Sequence, residues 1–250
     1  MTTTVFEFPL KEKVRNYLRI EQLLVQLKTA SGNSQSAIHM YFFEQLFTLL
    51  DLFDRIDVRS DVLKDLDGHE KNLRYWSRHP NIDSSALEEA LNSILDLRKR
   101  LKDSRKFGSL LKDDKLLSSI RQRFAIPGGT CGFDLPNLHY WLHLPVTERQ
   151  PIMKGWLDNL SVLEEAIATS LSFLRERGHF HTTTAVNGFY QDVAEDKNEL
   201  IRIRYQSDQG YYPTLSGNKY RFALRFIWFE PKDNQITGVD NDVTFDLAAC

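Results

Sequence analysis

Up to Gly178 the apolar residues of this chain recur at the three- and four-residue spacing of helix faces; beyond it they alternate. A side chain returns to one face every 3.6 residues in a helix and every second residue in a strand. Two periods in separate blocks therefore confine the chain to helix and sheet segregated along the sequence. From Pro9 a helix is expected with Leu10, Val14, Tyr17, Leu24 and Leu27 on its apolar side, closed by Ser31-Gly32. Asn33 is placed to cap the next, whose face is Tyr41, Phe42, Leu46, Leu49 and Phe53. A third runs from about Ser60 to Trp76 and stops before Pro80. Ser85 and Glu88 form a capping-box pattern ahead of Leu91, Ile94, Leu95 and Leu101. One short helix carries Leu110, Leu111, Leu116, Leu117, Ile120 and Phe124, and a long one covers about Thr147–Arg177 with Gly178 as its C′ residue.

Past Gly178, strands are expected near Phe180–Gln191, Glu199–Gln206, Lys219–Glu230 and Val239–Ala248, separated by Asp/Asn/Gly/Pro turns. Short connections without intervening helices make the sheet antiparallel. The fold class is α+β, an N-terminal helical body of residues 1–178 followed by a C-terminal antiparallel β domain of residues 179–250. In Lys219–Glu230 one face carries Tyr220, Phe222, Leu224, Phe226 and Trp228, and the other Arg221, Ala223, Arg225, Ile227 and Phe229. In Glu199–Gln206, Arg202 and Arg204 oppose Ile201, Ile203 and Tyr205. If these two strands pair, four arginines share one exposed sheet face. The alternative pairs them with Asp242 and Asp246, ion pairs of little consequence for stability.

Composition narrows the function classes. The chain has 250 residues, 42% hydrophobic and 26% charged, with a net charge of −2, which is ordinary for a globular protein. That balance argues against a dedicated nucleic-acid binder. No apolar run approaches the roughly 20 residues of a membrane helix, and Met1–Lys13 has no secretory pattern, so a cytoplasmic protein is expected. Cys131 and Cys250 allow at most one bridge, improbable in reducing cytosol.

The densest information lies in Ile126–Pro145. Pro127-Gly128-Gly129 reads as a turn, and Pro136 suits the first turn of a helix carrying His139-Tyr140-Trp141-Leu142-His143. This segment resembles the ZapD family of bacterial cell-division proteins. So do Pro9–Glu21, Arg121-Gln122-Arg123, Asn187–Asp192 and Arg221–Phe226, in the right order over nearly the whole chain. The resemblance implies a non-enzymatic homodimer at the mid-cell division ring that binds the acidic C-terminal tail of the tubulin-like protein FtsZ and bundles its filaments. It also implies a basic tail-binding surface, with Arg19, Lys115 and His139 at the matching positions. Better-known members of the family carry arginine at the second of these; lysine keeps the charge but loses the planar fork that grips a carboxylate. Arg15, Arg121, Arg221 and Arg225 complete the candidate partner-binding set. Arg15 and Arg19 lie four apart on one helical face, a like-charge spacing that costs stability and that Glu12 and Glu21 partly offset.

Other chemistry finds weaker support. His139 and His143 share helical spacing, but Tyr140 stands where a zinc protease has glutamate and no third ligand is evident; the bland reading leaves one exposed and packs the other beside Trp141. His179 and His181 share a strand face without a partner ligand, and Cys131 reads as a small packed thiol. Phosphate-loop, nucleophile-elbow and dinucleotide patterns are absent, so no catalytic residue, metal or cofactor is expected. The competing readings are a small-molecule enzyme with an unrecognised cleft and a weak nucleic-acid-binding module.

Overall fold

Thr3–Pro9 alternates only at Phe6-Glu7-Phe8, yet in the computed structural model it is a strand, β1, rather than the approach to a helix. The structure describes residues 3–77, 84–218, 220–229 and 237–250; Pro80, Lys219 and Glu230, which bounded expected elements, lie outside them. Helix α1 (Glu12–Ser31) begins after Pro9, not at it. Proline fixes φ and lacks a donor, which is tolerated at a strand end as well as at a helix start.

The chain divides into two compact units, one formed by Met1–Tyr17 with Leu171–Cys250 and the other by Leu18–Ser170. The division falls inside α1 and inside α9 (Ser161–Arg177).

The second unit is helical. α2 (Ser36–Arg55) buries Phe42, Phe43, Leu46, Leu49 and Phe53, with Tyr41 exposed. Asn33 does not cap it; Gln35 holds the N-cap position without a side-chain bond, and Asn33 Oδ1 accepts from the Gln35 amide at 2.9 Å. α3 (Val58–Trp76) starts two residues earlier than expected because Asp57 caps it, accepting from Ser60 N. α4 (Ser84–Asp103) begins before Ser85, so Ser85 sits in its first turn instead of capping it. The expected short helix is two, α5 (Ser109–Asp113) and α6 (Lys115–Phe124), parted at Asp114. α7 (Pro136–His143) takes Pro136 in its first turn as expected. The long amphipathic stretch is also two helices, α8 (Val146–Asp158) and α9, because the chain turns at Asn159-Leu160. Each break comes where a short polar side chain bonds locally and competes with the helix backbone: Asp114 accepts from Leu117 N, and Asn159 Nδ2 donates to Gly155 O.

The other unit holds two antiparallel sheets rather than one. Their strands are β2 (His181–Ala185), β3 (Phe189–Val193), β4 (Leu200–Gln206), β5 (Tyr211–Gly217), β6 (Arg221–Trp228) and β7 (Val243–Ala249), in orders β1-β4-β7-β2 and β3-β6-β5. β5 was not expected from the sequence, and the segment near Phe180–Gln191 is two strands in different sheets. Asn187 (φ 50°) and Gly188 (φ 69°) make the turn between them, both at positive φ as in a type I′ turn. Ile201, Ile203, Phe222, Leu224, Phe226, Phe245 and Leu247 form the apolar core of this unit, with Phe6 and Phe8 of β1 packed against it. Glu7 of β1 takes both Arg175 Nε (2.9 Å) and Nη2 (2.7 Å), with Arg202 3.0 Å away.

A methyl group added at Gly188 would meet Val239 O at 2.3 Å, in a backbone region disfavoured for side chains. Gly188→Ala should therefore destabilise the sheet unit by at least about 1 kcal/mol, read as a shift of the denaturant midpoint.

Candidate functional site

Lys115 owes its place to Asp114. That carboxylate caps α6 through Oδ1, 2.9 Å from Leu117 N, and through Oδ2 accepts Trp156 Nε1 of α8 at 3.1 Å. Lys115 is then the first residue of α6, with its side chain exposed. One turn along, Ser119 Oγ accepts from Asn137 Nδ2 of α7 at 2.7 Å, which ties α7 to α6. α7 carries His139, exposed, and Tyr140, 70% exposed, while Trp141 is 3% exposed against Phe43 and Trp156. The turn before α7 lifts Phe133 to 84% exposure. Lys115 and His139 thus stand exposed on two joined helices, and the Tyr140 and Phe133 rings face solvent on α7 and the turn before it.

The other basic residues differ in how far the fold already engages them. Arg121 reaches the carboxylates of Asp51 and Asp54 on α2. Lys112 first, and then Arg121, hold the Asp54 carboxyl below its ordinary range. Arg123 lies 3.8 Å from Asp134. Arg15 is exposed and donates to Glu12 at 2.8 Å, an ordinary surface pair. Arg19 is exposed on α1.

Four arginines on one sheet face do not occur, because β4 and β6 belong to different sheets. β4 pairs with β1 and β7, so Arg204 meets Asp246 at 3.0 Å and Arg202 meets Glu7, both guanidiniums lying over Phe180. On β6, Arg225 lies over the ring of its cross-strand neighbour Phe189. Arg221 is exposed and lines a cavity of about 660 Å³ with Gln191, Ser216 and Asn218. At its edge Tyr190 Oη donates to Asp192 at 2.9 Å; burial, and then that carboxylate, push the Tyr190 hydroxyl up to about 12.

Two expectations about isolated side chains fail. His139 and His143 are both exposed, their rings 4.4 Å apart; the histidine beside Trp141 is His39 of α2. Cys131 is exposed rather than packed, since it sits in a turn whose backbone carbonyl accepts from Asp134 N and Leu135 N. Among the described residues, no cluster of three or more His, Cys, Asp or Glu is arranged to hold a metal ion, and no helix is long and apolar enough to cross a membrane. Sequence reasoning missed Phe133 and Asp114. The Asp before an apolar helix was a readable capping signal; nothing in the periodicity marks Phe133 as exposed.

The family model described as ZapD, cell division protein, matches residues 18–225. A relative named cell division protein ZapD from Vibrio vulnificus is 42% identical over 250 residues, covering 100% of both chains. Its namesake from Vibrio cholerae O395 is 41% identical with the same coverage. Another, from Pectobacterium carotovorum, is 39% identical over 249 residues, covering 100% of this chain and 98% of its own.

Asp114→Ala removes both a cap and the bond from Trp156. It should cost about 1–3 kcal/mol and lower α6 helicity, measured by denaturation and circular dichroism.

Proposed function

The chain belongs to the ZapD family of cell-division proteins, and from that premise we propose that it is a homodimeric cross-linker of FtsZ filaments at the mid-cell ring in the cytoplasm. The supporting observation is that Lys115, His139, Tyr140 and Phe133 are all exposed on α6, α7 and the turn before α7, with α6 and α7 tied by the Asn137–Ser119 bond. An exposed lysine and imidazole together with bare aromatic rings suit a partner segment that is acidic and apolar together, as the FtsZ C-terminal tail is in the family this chain resembles. Charges guide the encounter and the rings anchor it. Arg19 contributes a cation from α1 at the family's matching position, with Arg15 one turn away.

Arg121 serves more as a brace between α6 and α2 than as a free contact, given its two carboxylate partners. Arg221 and Arg225 offer a separate basic face on the three-stranded sheet. A two-fold dimer presents every site twice, which is the least a cross-linker needs. Filaments display many tails, so after one attachment the second becomes intramolecular, and weak sites suffice. The protein acts as an adaptor, without a catalytic step.

Pelleting and light scattering of FtsZ filaments with the equimolar chain are expected to rise, with the chain running at about twice 29.1 kDa in solution; unchanged filaments refute the reading. Arg19→Ala should weaken tail-peptide binding by about 1–3 kcal/mol, and Arg19→Glu by more, with melting temperature and helicity held. Affinity should fall as salt rises from about 50 to 300 mM, since screening then shortens below about 10 Å. Unaltered peptide affinity in the glutamate variant would remove Arg19 from the site.

A further inference from the structure

Arg149 of α8 is 4% exposed, and its guanidinium meets no carboxylate among the described residues. Its acceptors are neutral: His39 Nδ1 at 2.9 Å, Ser36 Oγ at 3.3 Å and Ser34 O at 3.3 Å. Its carbon centre lies 5.9 Å from the Trp141 ring of α7. Burying a cation without an anion is costly, so every neutral acceptor counts.

The hydrogen bonds fix the tautomer of His39, itself buried. Nε2 faces the Asn33 carbonyl at 2.9 Å and must donate; Nδ1 faces an Arg149 N–H and must accept. Imidazole fills both roles only when it is neutral. A second proton would occupy Nδ1, setting two N–H donors against each other with no acceptor between them. The same turn is fastened twice more: Gln150 Nε2 donates to Gly32 O at 3.1 Å, and Ser36 Oγ donates to Leu142 O of α7 at 3.3 Å.

We propose that the buried Arg149–His39 contact is an acid-sensitive latch, holding the turn of residues 32–36 on α7 and α8 and releasing it when His39 takes a proton at Nδ1. The groups facing His39 are Arg149 from α8, the Trp141 ring from α7 and the Asn33 carbonyl from the turn. Arg149 is the charged group acting on it among the described residues. Burial first, and the Arg149 charge besides, hold the His39 pKa below 6.5, against the raising effect of the Asn33 carbonyl. The unfolded chain therefore binds the proton more readily than the folded one. The latch is intact above pH 6.5, and stability falls as pH drops from there towards the folded-state pKa. Because α7 also carries His139 and Tyr140, release loosens that surface, although the latch stands whatever the surface binds.

The test compares the full chain with His39→Gln, whose amide can accept from Arg149 and donate to Asn33 but does not titrate. Hydrogen exchange of residues 32–39 and 146–150 should accelerate in the parent chain between pH 7.5 and 5.5 beyond the intrinsic pH effect, and stay flat in the variant. Over the same span the parent should lose at least about 2 °C more in melting temperature than the variant. Equal acid sensitivity of the two chains overturns the proposal. Should His39→Gln fail to fold, imidazole NMR of the parent decides. A neutral Nε2–H form titrating below 6.5 together with loss of protection upholds the latch, and titration at or above 6.5, or without added exchange, overturns it.

Discussion

The pairing of Thr3–Pro9 with Leu200–Gln206 joins the first strand to one about 190 residues later, and the sheet unit depends on it. β1 supplies an edge of the four-stranded sheet, places Phe6 and Phe8 against the core and brings Glu7 to Arg175 and Arg202. Without it, β4 would leave a row of backbone donors and acceptors unpaired and two arginines without their carboxylate. Loop closure grows only slowly in cost with chain length, so a seven-residue strand suffices to recruit so distant a partner.

The helical unit is held to one geometry partly by polar groups, not by its apolar faces alone. Asp114 spans α6 and α8, Asn137 spans α7 and α6, and Arg149 spans α8, α2 and the turn before α2. Phe42, Phe43, Trp141 and Trp156 pack into one aromatic cluster that many packings of similar volume could have satisfied. Directional bonds among half-buried groups exclude those alternatives. The same directionality makes the His39–Arg149 contact sensitive to a single proton.

The basic residues sort by partner rather than by charge. Arg121 and Arg204 were as conspicuous in the sequence as Lys115, yet both meet carboxylates on neighbouring elements. Lys115 and His139 face solvent, as do the Tyr140 and Phe133 rings. Charge alone could not separate a brace from a contact: the sequence offered Asp246 as a partner for the sheet arginines without choosing it over an open face, and nothing local linked Arg121 to Asp51.

The sequence by itself determined the α+β class, the buried faces of α1 and α2, the alternation in β4 and β6, and the turn-plus-Pro136 start of α7. Those features are local: they follow from periodicity, proline and glycine within a few residues. It also carried the family, in motifs short enough to read directly. Tertiary structure decided what depends on distant partners. It made Thr3–Pro9 a strand, split the strands between two sheets and separated Arg202 and Arg204 from Arg221 and Arg225. It exposed Phe133 and Cys131 and buried Arg149 against His39. Strand pairing and side-chain burial are settled by residues brought together only by folding, so a local pattern marks which residues alternate but not what they face.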